Sequence, residues 1–153
     1  MNREAGILLA VSSLPSAHGI GCFDRAAYEF VDWLAEAGQS YWQILPLGAS
    51  SHGGSYDSPY QSYSAFAGNP HYISLDALVE EGVLLQSEVD GISWGDRDSA
   101  VDYDILCKHR LPLLRKAYER SHVTTIQGYL DFTRENHWWL EDHALFMAVK
   151  NLP

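Results

Sequence analysis

Aromatic and short polar side chains alternate in one stretch of the chain, between Tyr41 and Tyr72. This window holds seven of the nineteen aromatic residues. Serine, glutamine and asparagine lie between the rings, and Asp57 is the single formally charged residue between Glu36 and Asp76. Aromatic faces pack on the C–H faces of a sugar, while hydroxyl and amide groups exchange hydrogen bonds with its hydroxyls. The stretch therefore predicts a site for a neutral ligand with many hydroxyl groups.

The same stretch is rich in glycine and proline, which exclude a long helix. Residues 46–72 are therefore predicted to form an extended loop. Loops of this length are usually functional or disordered, and so many aromatic residues argue against disorder. The lack of Lys and Arg disfavours phosphate ligands. The alternative is a packed loop whose aromatic side chains serve only as core.

The sequence contains no motif for metal binding, serine hydrolysis or dinucleotide binding. The histidines form no H-E-x-x-H and no paired Cys/His spacing, and His137 and His143 are six residues apart, which places them on different faces of a helix. There is no serine-hydrolase elbow and no complete dinucleotide fingerprint. Cys22 is predicted to be a small packing residue rather than a nucleophile. We therefore expect no metal and no cofactor.

The elements that must position the loop are predicted from periodicity and capping residues. Residues 6–11 and 41–45 are apolar runs typical of strands, and Pro46 ends the second. Between them, Asp24 is suited to cap a helix that Gly38 ends. Strand, helix and strand in this order form a βαβ unit with parallel strands. Such units build doubly wound sheets or (β/α)₈ barrels, and in a barrel the loop after the second strand lies on the active-site face.

The next segment is predicted to contain one short helix and a connector. Ser74 is suited to open a helical run that continues from Leu75 to Glu81, and Gly82 to end it. Residues 84–100 are acidic and contain glycines, which indicates a connector.

The last third is predicted to be helical. One helix is expected from about Tyr103, with Pro112 kinking or splitting it. Two more are expected, around residues 126–132 and from about residue 136 to residue 150. Trp138 and Trp139 lie in the last of these and are predicted to be core rather than a ligand platform.

Composition restricts the class of protein. The 153 residues carry 20 acidic and 10 basic side chains, a formal net charge of −10, which disfavours nucleic acid as a partner. No apolar run approaches the roughly 20 residues of a membrane span. Two cysteines, Cys22 and Cys107, are typical of a reducing compartment. We therefore expect a cytoplasmic protein with neither nucleic acid nor membrane as a partner.

Several segments together resemble one family. The sequence is similar to the 4-α-glucanotransferases, also called amylomaltases or disproportionating enzymes, at residues 6–9, 13–15, 19–21, 41–48, 57–70, 101–103 and 138–147. The block 57–70, Asp-Ser-Pro-Tyr-Gln-Ser-Tyr-Ser-Ala-Phe-Ala-Gly-Asn-Pro, carries the most specific part of this resemblance. It extends over nearly the whole chain.

The resemblance implies an α/β fold, the N-terminal part of a (β/α)₈ TIM barrel with a helical insertion. Residues 1–75 would be the first β/α units with the aromatic substrate-binding loop 46–72, and residues 76–153 a mainly helical insertion, truncated at its C-terminus.

The resemblance also implies transfer of α-1,4-glucan segments between maltodextrins by a retaining double displacement, with maltose, maltotriose and maltodextrins as ligands. That mechanism needs two carboxyl groups about 5–5.5 Å apart. In the family they come from later barrel strands, so no catalytic residue is expected within this chain. The alternative is a non-catalytic α-glucan-binding module.

By resemblance, Tyr60 stands beside a sugar ring, Ser58 hydrogen-bonds a glucose hydroxyl, and Asp57 shapes the loop. Gln61 and Asn69 are expected to hold the loop backbone. The sequence departs from the family at three places. Residues 10–15 read Ala-Val-Ser-Ser-Leu-Pro where members often have His-Pro-Thr-Ser-Leu-Pro. Residues 49–60 form a longer segment, in which Tyr56 or His52 replaces the usual loop tyrosine, and Cys107 stands where some members carry a tyrosine of a secondary glucan site.

Overall fold

The computed structural model describes residues 3–49, 58–95 and 100–150. In chain order the elements are β1 (Gly6–Leu8), α1 (Arg25–Glu36), β2 (Tyr41–Gln43), α2 (Leu75–Glu80), α3 (Gln86–Asp90), α4 (Tyr103–Ser121) and α5 (Gln127–Lys150). Short 3₁₀ turns lie at Val11–Ser13, Pro70–Tyr72 and Val123–Thr125. Among the described residues, no helix is both long enough and apolar enough to cross a membrane. The chain is a mixed structure with its strands near the N-terminus and helices beyond.

The N-terminal elements form the predicted parallel β-α-β unit. Residues 6–8 of β1 lie opposite residues 41–43 of β2 in a two-stranded parallel sheet. Between them, Asp24 Oδ1 accepts the N–H of Ala26 at 2.9 Å and so caps α1. Gly38 follows the helix with φ of +69°, a conformation that favours glycine.

Both strands are shorter than the sequence predicts. Leu9 still donates its N–H to the carbonyl of Gln43 at 3.0 Å, but the chain then enters the 3₁₀ turn at Val11–Ser13. In the described part of the chain this ladder has only two strands, so no further strand extends the pairing. Apolar residues 9–11 are instead used for packing, with Val11 fully buried.

The segment after the loop contains the predicted short helix and one that was not predicted. Ser74 Oγ accepts the N–H of Ala77 at 3.1 Å and caps α2, and Gly82 follows with φ of +75°. α3 lies inside the predicted connector. It forms because Glu88 accepts the N–H of Leu85 at 3.0 Å and because Val89 is fully buried. The acidic composition of the segment does not indicate either feature.

The last third consists of two long helices. α4 continues through Pro112 as one helix of 19 residues, so the proline does not split it. α5 is a single helix of 24 residues where the sequence predicts two. The polar residues 133–136 suggest a break, but polar side chains alone do not end a helix, and α5 contains neither glycine nor proline after residue 128.

The core consists of three small groups of buried apolar side chains, and α4 contributes to two of them. One joins α2, α3 and α4 and contains Leu75, Leu84, Val89, Leu113 and Ala117. A second lies against α1 and contains Val11, Leu14 and Ala27, and a third joins the segment before α1 to α4 through Ile20, Cys22 and Leu106. α5 contributes no buried residue. α4 is thus a central element of the packing, whereas α5 lies outside it.

Candidate functional site

The aromatic loop is closed at its base by backbone contacts just beyond β2. Gly48 and Gly68 form an antiparallel bridge, and the N–H of Asn69 donates to the carbonyl of Leu47 at 2.8 Å. The side chain of Asn69 accepts the N–H of His71 at 3.0 Å, which confirms the backbone role predicted for it. The loop therefore leaves and rejoins the fold at one place, on the side where β2 ends.

Within the loop, two serines form turns that satisfy the backbone locally. The hydroxyl of Ser62 donates to the carbonyl of Ser64 at 2.7 Å. The hydroxyl of Ser64 accepts the N–H groups of Phe66 and Ala67, both at 3.1 Å. Such hydroxyl-to-backbone bonds let a segment hold a definite shape without a helix or strand. The serines predicted to face a sugar are thus partly used to build the loop.

Of the three predicted substrate-binding residues, two lie among the described residues. Ser58 and Tyr60 are neighbours in space as well as in sequence, because the N–H of Tyr60 donates to Ser58 Oγ at 3.3 Å. Asp57 lies outside the described residues, as do Tyr56 and His52.

Three rings in the described part of the loop are exposed. Tyr60 is 72% exposed, Phe66 57% and Tyr63 45%. By contrast, Trp42 and Tyr72 at the two ends of the aromatic window are partly buried and pack against the core beside α1. The packed-core alternative therefore fits the ends of the window but not the three described rings between them, each of which is at least 45% exposed. Such clusters of exposed rings are typical of a binding surface.

The loop touches α5, a contact that sequence patterns did not indicate. The ring centroid of Phe66 lies 4.7 Å from that of Trp138, edge to face, and 5.7 Å from that of Trp139. Tyr63 lies 5.5 Å from Phe146. The prediction that Trp138 and Trp139 form core is wrong for Trp138, which is 59% exposed. The reason is that α5 packs on an exposed loop rather than on the interior.

A second concave region lies away from this loop. It is an open depression of about 740 Å³, lined by residues 12–17 and 19–21 together with Trp94, Gly95, Ala100 and Val101. Among the described residues that line it, none belongs to the aromatic loop and none is charged. These residues include a single aromatic ring, that of Trp94, so the aromatic loop, with its several ring faces, is the better candidate for recognising a ligand.

A buried polar centre surrounds Arg110, which is fully buried on α4. Its guanidinium donates to the carbonyls of His18 at 3.2 Å and Ile73 at 2.7 Å, and to Cys22 Sγ at 3.0 Å. The ring of His18 in turn contacts Asp76 at 2.8 Å. These groups bind one another and the backbone, so the centre joins three segments of the fold.

Cys22 belongs to this centre and is 1% exposed. Its thiol donates to the carbonyl of Ile20 at 3.2 Å. Burial raises the pKa of the Cys22 thiol and outweighs the opposite effect of the Arg110 charge. The prediction of a packing residue is confirmed, although the sequence did not indicate that Arg110 lies beside it.

Among the described residues, no group of three or more His, Cys, Asp or Glu side chains could hold a metal ion. His137 Nδ1 lies 3.1 Å from the carbonyl of Arg134, and the His143 ring lies 6.1 Å from that of Trp139. Both histidines thus have contacts within α5.

Comparison with known proteins identifies a family. Residues 9–152 match the Glyco_hydro_77 family, described as 4-alpha-glucanotransferase. A 4-alpha-glucanotransferase of Streptococcus pneumoniae serotype 4 is 50% identical over 149 residues, which is 97% of this chain and 29% of that protein. One from Clostridium butyricum is 46% identical over 140 residues, or 92% of this chain and 28% of that protein.

A solved structure agrees with these matches. The amylomaltase from Streptococcus agalactiae in complex with acarbose superposes with a TM-score of 0.86 at 43% identity, over 97% of this chain and 30% of that chain. The chain therefore spans less than a third of the length of these relatives.

Proposed function

This chain belongs to the 4-alpha-glucanotransferase family, and on that premise we propose that it supplies the N-terminal, glucan-binding part of such an enzyme. The enzyme transfers α-1,4-glucan segments between maltodextrins, with maltose, maltotriose and longer maltodextrins as ligands. The matched relatives are glucanotransferases, which favours this function over a stand-alone glucan-binding module. A cytoplasmic location belongs to the same proposal.

In this proposal residues 1–75 are the first β/α units of a (β/α)₈ barrel, and residues 76–153 are a helical insertion. The parallel pairing of β1 and β2 around α1 supports it, because consecutive barrel strands are parallel and joined by a helix. The aromatic loop follows the C-terminal end of β2, and that end of the strands forms the active-site face of such barrels.

The observation that carries the proposal is the exposed ring of Tyr60 on a loop that is otherwise held by its own hydrogen bonds. Tyr60 is 72% exposed, and its backbone is tied to Ser58. A phenol ring presents a flat apolar face to the C–H face of a glucose unit and a hydroxyl at its rim. Ser58 adds a hydroxyl beside it, and by the family resemblance Asp57 helps to shape the loop.

The contribution of this part to catalysis is to bind and orient the glucan. A retaining double displacement requires one carboxylate as nucleophile and a second carboxyl group as acid. Asp57 alone cannot serve as both, and the family resemblance places the catalytic pair on later strands of the full enzyme. Holding the sugar chain against Tyr60 places its glycosidic bond relative to those groups, and correct placement is itself a large part of rate enhancement.

Calorimetric titration of the 153-residue chain with maltoheptaose tests the binding role. We expect saturable binding that Tyr60→Ala weakens about tenfold or more. Tyr28→Ala is the matched control, because Tyr28 is also 72% exposed but lies on α1. Absence of saturable binding, or an equal loss in both variants, would contradict the proposal.

Incubation with maltotriose tests where catalysis resides. The chain alone is expected to release no glucose and to form no longer maltodextrins. Either product would show that a catalytic pair lies within these residues.

A further inference from the structure

We propose that Trp138 and Phe146 of α5 are positioning residues that hold the loop carrying Tyr60 in the orientation that binds glucan. The proposal rests on the function proposed above, because it takes Tyr60 as the ring that meets the sugar. It assigns a role to the aromatic residues of α5, which the core of the protein does not use.

The contacts between loop and helix form a short series of rings. Phe66 and Trp138 form a T-shaped pair with centroids 4.7 Å apart, and the ring centroids of Tyr63 and Phe146 lie 5.5 Å apart. Lys150 places its ammonium group 4.5 Å from the Tyr63 centroid, on the other end of the same series. Pairs of this kind contribute through the quadrupole of the ring as well as through buried area.

The spacing along α5 matches the spacing of the loop rings. Trp139, Phe146 and Lys150 are separated by seven and four residues, which places them on one face of a helix, and Trp138 lies beside Trp139 and contacts the same ring, Phe66. Phe66 and Tyr63 are three residues apart in a loop turned by Ser62 and Ser64, and they contact α5 at two places about two helical turns apart.

The loop needs such support because the hydrogen bonds among its described residues, 46–49 and 58–72, lie at its base and in its turns. The bridge between Gly48 and Gly68 closes the base, and the serine hydroxyls bond within two or three residues. Neither contact determines the orientation of the loop relative to the rest of the fold. The ring contacts with α5 do, because they join Tyr63 and Phe66 to a separate rigid element.

The aromatic residues of α5 are not explained by stability of the core. No residue of α5 is buried, and Trp138 and Phe146 are 59% and 47% exposed. The ring contacts of Trp138 and Phe146 are instead made to Phe66 and Tyr63 of the aromatic loop, which indicates a role in placing that loop.

The test compares three variants of α5 in the 153-residue chain. Trp138→Ala is expected to speed amide hydrogen exchange at Phe66 and Ala67 about three- to tenfold in the absence of glucan, and to raise the Kd for maltoheptaose by a similar factor. Leu145→Ala is the control, since Leu145 lies on α5 and is 65% exposed. It should leave both quantities unchanged. Trp138→Phe, which keeps an aromatic edge, should restore most of the affinity.

The midpoint of thermal unfolding separates positioning from general destabilisation, and it should shift by less than about 4 °C in all three variants. Unchanged exchange in Trp138→Ala, or faster exchange with unchanged affinity, would overturn the proposal while leaving the role of Tyr60 intact. If the wild-type chain does not bind maltoheptaose saturably, or if Tyr60→Ala binds it as tightly as the wild type does, the proposed function itself fails.

Discussion

Arg110 and Tyr60 are both found in environments that are unusual for their residue types, one buried and the other exposed. Arg110 is a charged side chain that is fully buried, and Tyr60 is an aromatic side chain that is 72% exposed. Burial of Arg110 is compensated inside the chain, by two carbonyls and a thiol. Exposure of Tyr60 has no such compensation within its loop. The Arg110 region therefore holds segments of the fold together, whereas the exposed ring of Tyr60 is available for the glucan contact proposed above.

The two regions also differ in the reach of their contacts. Arg110 binds partners 37 to 92 residues away in sequence, while the serines of the loop bind partners two or three residues away. Substitutions should therefore change stability in the first region and ligand binding in the second.

The largest difference is expected from one substitution made in both regions. In Gly21→Ala the new Cβ would collide with the carbonyl oxygen of Val11 and with Leu14, so we expect a loss of about 3 kcal/mol of unfolding free energy. In Gly68→Ala the Cβ meets nothing within 4 Å, and stability should change by less than about 1 kcal/mol. Urea unfolding of both variants measures the contrast, and equal losses would break it.

Removal of the buried charge should have the next largest effect. Arg110→Met leaves the carbonyls of His18 and Ile73 without their donor, and we expect a loss of about 2–3 kcal/mol of unfolding free energy. Arg115→Met is the control, because Arg115 has an 83% exposed side chain on the same helix and pairs with Glu119. Its loss should stay below about 0.5 kcal/mol. A similar loss in both would show that burial of Arg110 carries no structural weight.

A pH-dependent effect is expected at Glu88, at the surface of the same half of the molecule. Hydrogen bonds from Arg120 and Lys116 hold the pKa of the Glu88 carboxyl at about 2, below its ordinary value of 4.5. Because the folded pKa is the lower one, this contribution to stability is present above pH 4.5 and is lost as the pH falls toward 2.

Glu88→Gln should therefore be less stable than wild type at pH 7, with the difference disappearing between pH 4.5 and 2. Urea unfolding across that range measures it. Glu119→Gln, in the exposed pair with Arg115, should show little pH dependence. A constant difference between wild type and Glu88→Gln at all pH values would contradict the expected linkage.

The smallest effect on stability is expected where the effect on binding is largest. Tyr60→Ala should change the unfolding free energy by less than about 0.5 kcal/mol, because the ring is largely exposed. A larger loss in urea unfolding would show that Tyr60 supports the fold. The contrast between the two regions would then fail.

Much of the local structure could be predicted because the signals lie close together in sequence. Asp24 caps α1 and Ser74 caps α2 through partners two and three residues away. The prediction of helices was less accurate where they depend on tertiary packing. α3 depends on the buried Val89, and α5 continues through polar residues that suggested a break.

The residue types of the candidate site could be predicted from the sequence, but the contacts that these residues make could not. Exposure of Tyr60 and the backbone bond of Ser58 become visible only once the loop is folded. The role of Trp138 was predicted incorrectly because an apolar residue in a helix is usually core, and periodicity does not reveal what a helix packs against.

The sequence by itself determined the capped helices, the parallel β-α-β unit and the uncharged aromatic loop, since each depends on side-chain type and short spacing. Only the tertiary structure decided that Arg110 is buried among His18, Cys22 and Ile73, and that the aromatic loop packs against α5. Those outcomes depend on which distant segments pack together, and such packing is set by the whole arrangement of buried surface rather than by neighbours along the chain.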